Sequence, residues 1–146
     1  MSTEVRASYT DNFGHAFDDK GRITVPSEWR QPWFETCLYV FPSAEKCLKV
    51  FPASWLGQKQ EQVSKLKYSD PVRKSLELLA SRAQSAIFDA QGRIMIKEKM
   101  RTGAGLKREA MLVGHNDHFQ IWDKTTWEEQ NVRAITFEEA VEAIGL

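Results

Sequence analysis

Cysteine is scarce in this sequence, and there is no excess of charge of one sign. The 146 residues include two cysteines, Cys37 and Cys47, without the close, repeated spacing of a secreted disulfide scaffold. Lys and Arg number 20, as do Asp and Glu, so a net charge of +0 gives the chain no overall attraction to a polyanion. No segment approaches the roughly 20 apolar residues of a membrane-spanning helix, and residues 1–12 lack a signal-peptide core. These absences predict a soluble, cytoplasmic protein with reduced thiols.

The residue patterns of common enzymes are also missing. The three histidines, His15, His115 and His118, form no H-E-x-x-H pair, and neither cysteine lies near them at metal-ligand spacing. The sequence contains no G-x-S-x-G elbow, no Walker loop and no dinucleotide-binding fingerprint. We therefore expect no catalytic residues, no metal site and no cofactor.

The sequence does contain an internal repeat. Residues 17–25, FDDKGRITV, are echoed by residues 88–96, FDAQGRIMI, with the common pattern F-D-x-x-G-R-I-x-[VI]. The equivalent aspartates and the equivalent arginines are both 71 positions apart, so the motif shows no slippage. A weaker echo continues at the same offset, where WR at 29–30 matches MR at 100–101 and LKVF at 48–51 matches FQIW at 119–122. The chain is therefore interpreted as two copies of one module.

The residue pattern of each copy predicts a strand, a tight turn, a second strand, a short helix and a further pair of strands. The D-x-x-G pattern between alternating apolar residues is typical of a hairpin, because Asp can bond the turn backbone and Gly accepts a positive φ. Apolar runs at 38–40 and 48–51 predict the later strands of the first copy, and 111–113 and 119–122 those of the second. The predicted fold class is mainly β with short helices.

Helical patterns lie between the copies and at the end of the chain. A helix is predicted near residues 55–66, and another begins after Asp70, a predicted N-cap followed by proline. Five apolar residues of that second helix share one face: Val72, Leu76, Leu79, Ala80 and Ala83. Residues 136–139, TFEE, form a capping box, and Gly145 is a predicted stop. We expect these helices to cover the β core or a neighbouring subunit.

The duplicated D-x-x-x-R motif resembles the MraZ family, whose two halves are each similar to the AbrB-type swapped-hairpin module. The resemblance covers residues 9–127 and includes DDKGRITVP at 18–26, GAGL at 103–106, VG at 113–114 and FQIWD at 119–123. It implies a duplicated AbrB-like double-split β-barrel and a ring-shaped homo-oligomer in the cytoplasm, associated with the nucleoid. It also implies sequence-specific binding to direct repeats in the promoter of a cell-division and cell-wall gene cluster.

The resemblance divides the chain into five segments. They are an N-terminal extension (1–11), a first AbrB-like repeat (12–57), linking helices (58–82), a second repeat (83–127) and a C-terminal helical segment (128–146).

Carried over by position, the resemblance implies three residues that contact DNA. Arg22 is the principal contact, Arg93 is its counterpart in the second copy, and Lys20 supports them at a phosphate. Asp18 and Asp89 then hold the two guanidinium groups for phosphate or a guanine edge. The alternative is that each Asp–Arg pair only stabilises its turn. An exposed ion pair is worth only about 0 to 1 kcal/mol, so stability alone is a poor reason for the pair to occur twice.

The turn glycines, Gly21 and Gly92, are expected to serve the backbone, although the lack of a side chain also allows close approach to a sugar-phosphate strand. Lys20 is matched by Gln91, so the first hairpin is interpreted as the more basic one and Arg22 as the stronger candidate. The five tryptophans are expected in the core or in subunit contacts rather than as base-stacking platforms.

Three functional classes remain open. The preferred one is a transcriptional regulator whose oligomer adds weak phosphate contacts on double-stranded DNA into salt-sensitive binding. The alternative is an AbrB-type module that acts through a protein partner, as an antitoxin does. The third is a hydrolase or metal enzyme, which no residue pattern supports.

Overall fold

Two antiparallel β-sheets organise the chain in the computed structural model, which describes residues 6–130 and 135–146. Within those ranges the strands are β1 (Asn12–Ala16), β2 (Arg22–Thr24), β3 (Cys37–Pro42), β4 (Cys47–Pro52), β5 (Gln84–Ile87), β6 (Arg93–Met95), β7 (Glu109–Gly114) and β8 (Phe119–Asp123). The helices are α1 (Ala53–Ser64), α2 (Pro71–Arg82), α3 (Glu98–Gly103), α4 (Lys124–Glu129) and α5 (Phe137–Ile144), and a 3-10 turn covers Ser27–Trp29. The predicted mainly β fold with short helices is confirmed.

The strands are exchanged between the two repeats. The larger sheet has the order β1-β7-β8-β4-β3-β5, and the smaller sheet is the pair β2-β6. β1 of the first repeat therefore lies beside β7 of the second, and β5 of the second lies beside β3 of the first. In the middle of the larger sheet, β4 pairs with β8 and joins the two repeats again. Both sheets therefore need strands from both copies.

The turn predicted from the D-x-x-G pattern is present, and the strand that follows it pairs with a strand of the other copy. The strands on either side of residues 18–22 are β1 and β2, which join different sheets. β2 instead pairs with β6, in a register that places Arg22 opposite Met95 and Thr24 opposite Arg93. The nine-residue motif contains the residues that form the turn, so it predicts the turn. It does not predict the partner of β2, because that strand belongs to the distant second copy.

The hydrophobic core combines side chains from both repeats. Ile23 and Ile94, the middle residues of the two-stranded sheet, are both fully buried. Trp29 is also buried, and its ring stacks on Phe119 with a centroid distance of 4.8 Å and meets Tyr9 edge-on at 5.6 Å. Because Phe119 belongs to the second repeat, these aromatic contacts stabilise the two halves together.

Four of the five tryptophans pack as predicted. Trp29 and Trp122 are buried, Trp127 packs against the small cluster around Trp122, and Trp55 stacks on Phe51 at 4.0 Å. Trp33 is 48% exposed in the single chain, so contact of its side chain with another subunit stays a prediction.

The predicted helix ends are confirmed, but the predicted cover of one helix is not. The Asp70 carboxylate accepts the N–H of Val72 at 2.9 Å, Thr136 caps α5, and Gly145 ends it with φ 78°. However, α2 contains no buried residue, and Val72 and Leu79 of its apolar face are exposed. The β core therefore does not cover this face, and cover by a neighbouring subunit stays a prediction.

No helix in the described part of the chain is long and apolar enough to span a bilayer.

Candidate nucleic-acid interface

The first turn, residues 18–22, is held together by one carboxylate. Oδ1 of Asp18 accepts the N–H groups of Lys20 at 3.0 Å and Arg22 at 2.9 Å, and Oδ2 accepts Nε of Arg22 at 2.6 Å. The Gly21 N–H donates to the Asp18 carbonyl at 3.0 Å, and Gly21 has φ 79°. Asp18 therefore orders the turn backbone and the Arg22 side chain at once, as the sequence predicts.

The second turn, residues 89–93, repeats this geometry. Oδ1 of Asp89 accepts the N–H groups of Gln91 and Arg93, both at 2.9 Å, and Oδ2 accepts Nε of Arg93 at 2.8 Å. Gly92 has φ 74° and closes the turn with a hydrogen bond to the Asp89 carbonyl. The same five-residue device therefore occurs twice in one chain.

The two turns lie next to each other. One hydrogen bond joins each turn to the residue just after the strand that follows the other turn. The Val25 N–H donates to the Gly92 carbonyl at 3.0 Å, and the Ile96 N–H donates to the Gly21 carbonyl at 2.9 Å. An ion pair also crosses between them, with Nη1 of Arg93 3.6 Å from Oδ2 of Asp18. The structure thus brings Arg22 and Arg93 together around Asp18.

Both carboxylates are charged at neutral pH. The backbone hydrogen bond from Arg22 is the largest cause that lowers the pKa of Asp18 to about 2; the Arg22 side chain and the Lys20 N–H act in the same direction, and desolvation opposes them. The pKa of Asp89 is also lowered, mainly by the backbone N–H of Arg93. Each guanidinium uses Nε for its own Asp, which leaves the Nη nitrogens of Arg22 outside that bond.

The two turns differ in exposure rather than in net charge. The side chain of Arg22 is 32% exposed and that of Arg93 is 24% exposed, and Arg93 also pairs with Asp18. Lys20 is exposed and makes no ion pair within residues 6–130 and 135–146. The interpretation of the first turn as more basic is wrong, because Asp19 adds a carboxylate where the second copy has alanine. Arg22 remains the stronger candidate because it is more accessible.

Two arginines that the sequence analysis did not assign to the site lie against the turns. Nε of Arg30 donates to the carbonyl of Val25 at 2.8 Å, and Nε of Arg101 donates to the carbonyl of Ile96 at 3.0 Å. These residues are the equivalent arginines of the 71-residue repeat. The weaker echo of WR in MR was therefore the signal that could have identified them.

The turn glycines are covered by these arginines. Gly21 and Gly92 are both buried, and a Cβ atom on Gly21 would lie 3.0 Å from Nε and Nη2 of Arg101. On Gly92 the nearest side-chain atoms belong to Arg30. The predicted backbone role of the glycines is supported by their positive φ, whereas close approach of a sugar-phosphate strand to them is blocked by the two arginines.

The candidate site is a surface and not an enclosed cavity. An open groove of about 600 Å³ lies elsewhere, lined in part by His115, Gln120 and Trp127, and none of the predicted site residues lines it. In the described ranges, no group of three His, Cys, Asp or Glu side chains could hold a metal ion. Oriented guanidinium groups on an open surface suit the binding of phosphate groups or base edges.

Comparison with known proteins gives a family match over both repeats. The model of the family described as "MraZ protein, putative antitoxin-like" matches residues 9–77 and 79–144. A relative named "Transcriptional regulator MraZ" from Thermomicrobium roseum is 34% identical over 123 residues, which cover 84% of this chain and 86% of the relative. Proteins of the same name from Thioalkalivibrio sulfidiphilus and Finegoldia magna are 35% and 28% identical, over 75% and 94% of this chain and 76% and 96% of the relatives.

Proposed function

The chain belongs to the MraZ family, and on that premise we propose that it is a sequence-specific DNA-binding transcriptional regulator. The relatives carry the name of a regulator and not of an enzyme, and we assign this chain no catalytic role. One observation carries the proposal: two adjacent turns each present an arginine whose guanidinium is oriented by its own aspartate.

Orientation by aspartate suits the recognition of a base edge. Asp18 fixes Nε of Arg22, so less side-chain freedom is lost when the Nη nitrogens meet two acceptors. In the major groove, guanine N7 and O6 are such a pair of acceptors. We therefore assign base reading to Arg22 and, with less access, to Arg93, and we assign a phosphate contact to the exposed Lys20.

A neutral chain needs several copies to bind DNA well. Two turns in one subunit supply few phosphate contacts, and the net charge of +0 adds no general attraction. A homo-oligomer, which we propose to be a ring, would repeat the turns and add their contacts through multivalency. Exposed apolar side chains on α2, Val72 and Leu79, and on the edge strand β5, Ile87, support contacts with a second copy.

Repeated subunits match repeated DNA. We propose that the oligomer binds direct repeats in the promoter of a cell-division and cell-wall gene cluster, as the family resemblance implies. The protein would then act in the cytoplasm at the nucleoid.

The test is binding to promoter DNA over a salt series. Purified protein is titrated into labelled DNA from its own upstream region and into shuffled DNA, and light scattering gives the oligomeric mass. Arg22→Ala should weaken binding to promoter DNA by about tenfold or more and reduce the preference over shuffled DNA. Lys74→Ala, which removes one exposed cation from α2, is the matched control and should change neither.

A wild-type protein that assembles normally and binds promoter and shuffled DNA equally would overturn the proposal. The alternative function is then an antitoxin-like module with a protein partner, which the wording of the family description and the exposed apolar residues Phe137 and Ile144 of α5 favour.

A further inference from the structure

We propose that Arg30 and Arg101 are positioning residues that form a crossed clamp between the repeats. Each arginine belongs to one repeat and lies against the turn of the other, so together they fix the separation of the two turns. The existence of the clamp is independent of the proposed function, whereas its effect on DNA binding rests on that function.

The contacts of Arg30 form a closed loop. Its Nε donates to the Val25 carbonyl at 2.8 Å, and the Val25 N–H donates to the Gly92 carbonyl at 3.0 Å. The guanidinium then lies on Gly92 itself, because a Cβ atom there would be 2.6 Å from Nε and Nη1 of Arg30 and closer still to Cζ. Real Cβ atoms are essentially never within 3.0 Å of such neighbours. Arg30 therefore packs in the space that the absent side chain leaves.

Arg101 makes the equivalent contacts in the opposite direction. Its Nε donates to the Ile96 carbonyl at 3.0 Å, and the Ile96 N–H donates to the Gly21 carbonyl at 2.9 Å. Its guanidinium also covers Gly21. Each turn is thus held both by its own Asp and by the Arg of the other repeat.

The position of the turns matters because both carry a proposed DNA contact. Arg22 and Arg93 lie one residue after Gly21 and Gly92, so a shift of either glycine moves the neighbouring guanidinium. Misplacement of an interacting group by about 1 Å can cost roughly 100-fold in a reaction that depends on alignment. A planar guanidinium can both donate through Nε and pack flat on the glycine, whereas a lysine ammonium cannot do both.

Thermal unfolding of a double-mutant cycle tests the clamp without DNA. Gly92→Ala should lower Tm, since the added methyl group would meet the guanidinium of Arg30. In an Arg30→Ala background the same change should lower Tm by about half as much or less, because the three atoms nearest to the new Cβ are gone while the strain of φ 74° stays.

The other repeat supplies the control for this cycle. Gly21→Ala should lower Tm equally in wild-type and Arg30→Ala backgrounds, because the three atoms nearest to the new Cβ belong to Ile96 and Arg101. An Arg101→Ala background should reduce the loss of Tm caused by Gly21→Ala only in part, since the atom nearest to the new Cβ is the Ile96 carbonyl oxygen at 2.9 Å. Additive effects of Arg30 and Gly92 would overturn the clamp.

DNA binding by Arg30→Lys tests the positioning role, and it does not depend on whether a glycine variant folds. The charge is kept and the clamp is lost, so affinity for promoter DNA should fall about tenfold while the salt slope is unchanged. Arg82→Lys on α2 is the matched control and should bind as wild type. If Arg30→Lys binds normally and Arg30→Ala lowers the salt slope by about one, Arg30 is a phosphate contact and the positioning role is wrong.

The two proposals can fail separately. A wild-type protein without DNA preference overturns the proposed function and with it the positioning role in binding, while the Tm cycle alone decides whether the clamp exists.

Discussion

Replacement of Gln84 by leucine should loosen the attachment of the second turn to the larger sheet. Gln84 begins the edge strand β5 and is 6% exposed. Its Nε2 donates to the Met95 carbonyl at 2.7 Å, and its Oε1 accepts the Lys97 N–H at 2.9 Å. One buried amide therefore connects β5 to the end of β6, the strand that begins at Arg93.

The magnitude follows from the two lost bonds. A protein hydrogen bond contributes about 0.5–1.5 kcal/mol net, and a backbone group left unpaired costs about 1–3 kcal/mol when it stays dry. Both hydrogen bonds are only partly buried, so water can compensate for part of the loss and the lower part of this range applies. We expect a loss of about 2 kcal/mol, which lowers Tm by about 4–8 °C for a chain of this size.

Thermal unfolding is measured at one fixed protein concentration, because the proposed assembly would make Tm depend on concentration. Gln60→Leu, at an exposed position of α1, makes the same chemical change without a buried partner and should leave Tm within about 1 °C of wild type. An equally small effect of Gln84→Leu would refute the reasoning. The hydrogen bonds to Met95 and Lys97 would then contribute nothing measurable.

Three further results are expected. The pKa of Asp18 falls from 3.8 to about 2 on folding, so its charge stabilises the folded state fully above pH 3.8, and this stability is lost as the pH falls toward 2. Asp18→Asn should therefore flatten a plot of Tm against pH in this range, and an unchanged slope would contradict this role of the Asp18 charge. Gly114→Ala should cost more than about 2 kcal/mol in urea unfolding, because its Cβ would lie 2.6 Å from the Tyr9 carbonyl carbon, and a wild-type midpoint would exclude this clash. Burial raises the pKa of the Cys47 thiol, so a thiol reagent at neutral pH should modify Cys37 first, and equal rates by peptide mass spectrometry would show that Cys47 is accessible.

Local chemistry made several features of the site predictable. The D-x-x-G pattern predicted both turns, and the structure places Gly21 and Gly92 at positive φ with an aspartate bonded to each turn backbone. The cap at Asp70 was predictable for the same reason. Each of these signals lies within five residues of chain, so its physical cause is contained in the segment that shows it.

Contacts between the repeats were not predictable in this way. β2 finds its partner in β6, and Arg30 finds Gly92, through segments that are distant in sequence. A short sequence pattern does not identify the distant segment that will pack against it. The exposed face of α2 shows the same limit, because its periodicity predicted that Val72 would be covered but could not identify the cover.

The exchange of strands has a consequence for how a duplicated chain would read DNA. Two separate modules would hold their turns at a distance set by a linker, whereas here each turn is bonded to the strand that follows the other turn. The distance between Arg22 and Arg93 is therefore an internal property of the fold, and the shared carboxylate of Asp18 couples their orientation. Under the proposed function, the chain fixes the spacing of contacts within one DNA repeat, and contacts between subunits fix the spacing from one repeat to the next. Substitutions at Gly92 should therefore change affinity for a single repeat, whereas polar substitutions of Val72 and Leu79 on the apolar face of α2 should change the dependence on the number of repeats.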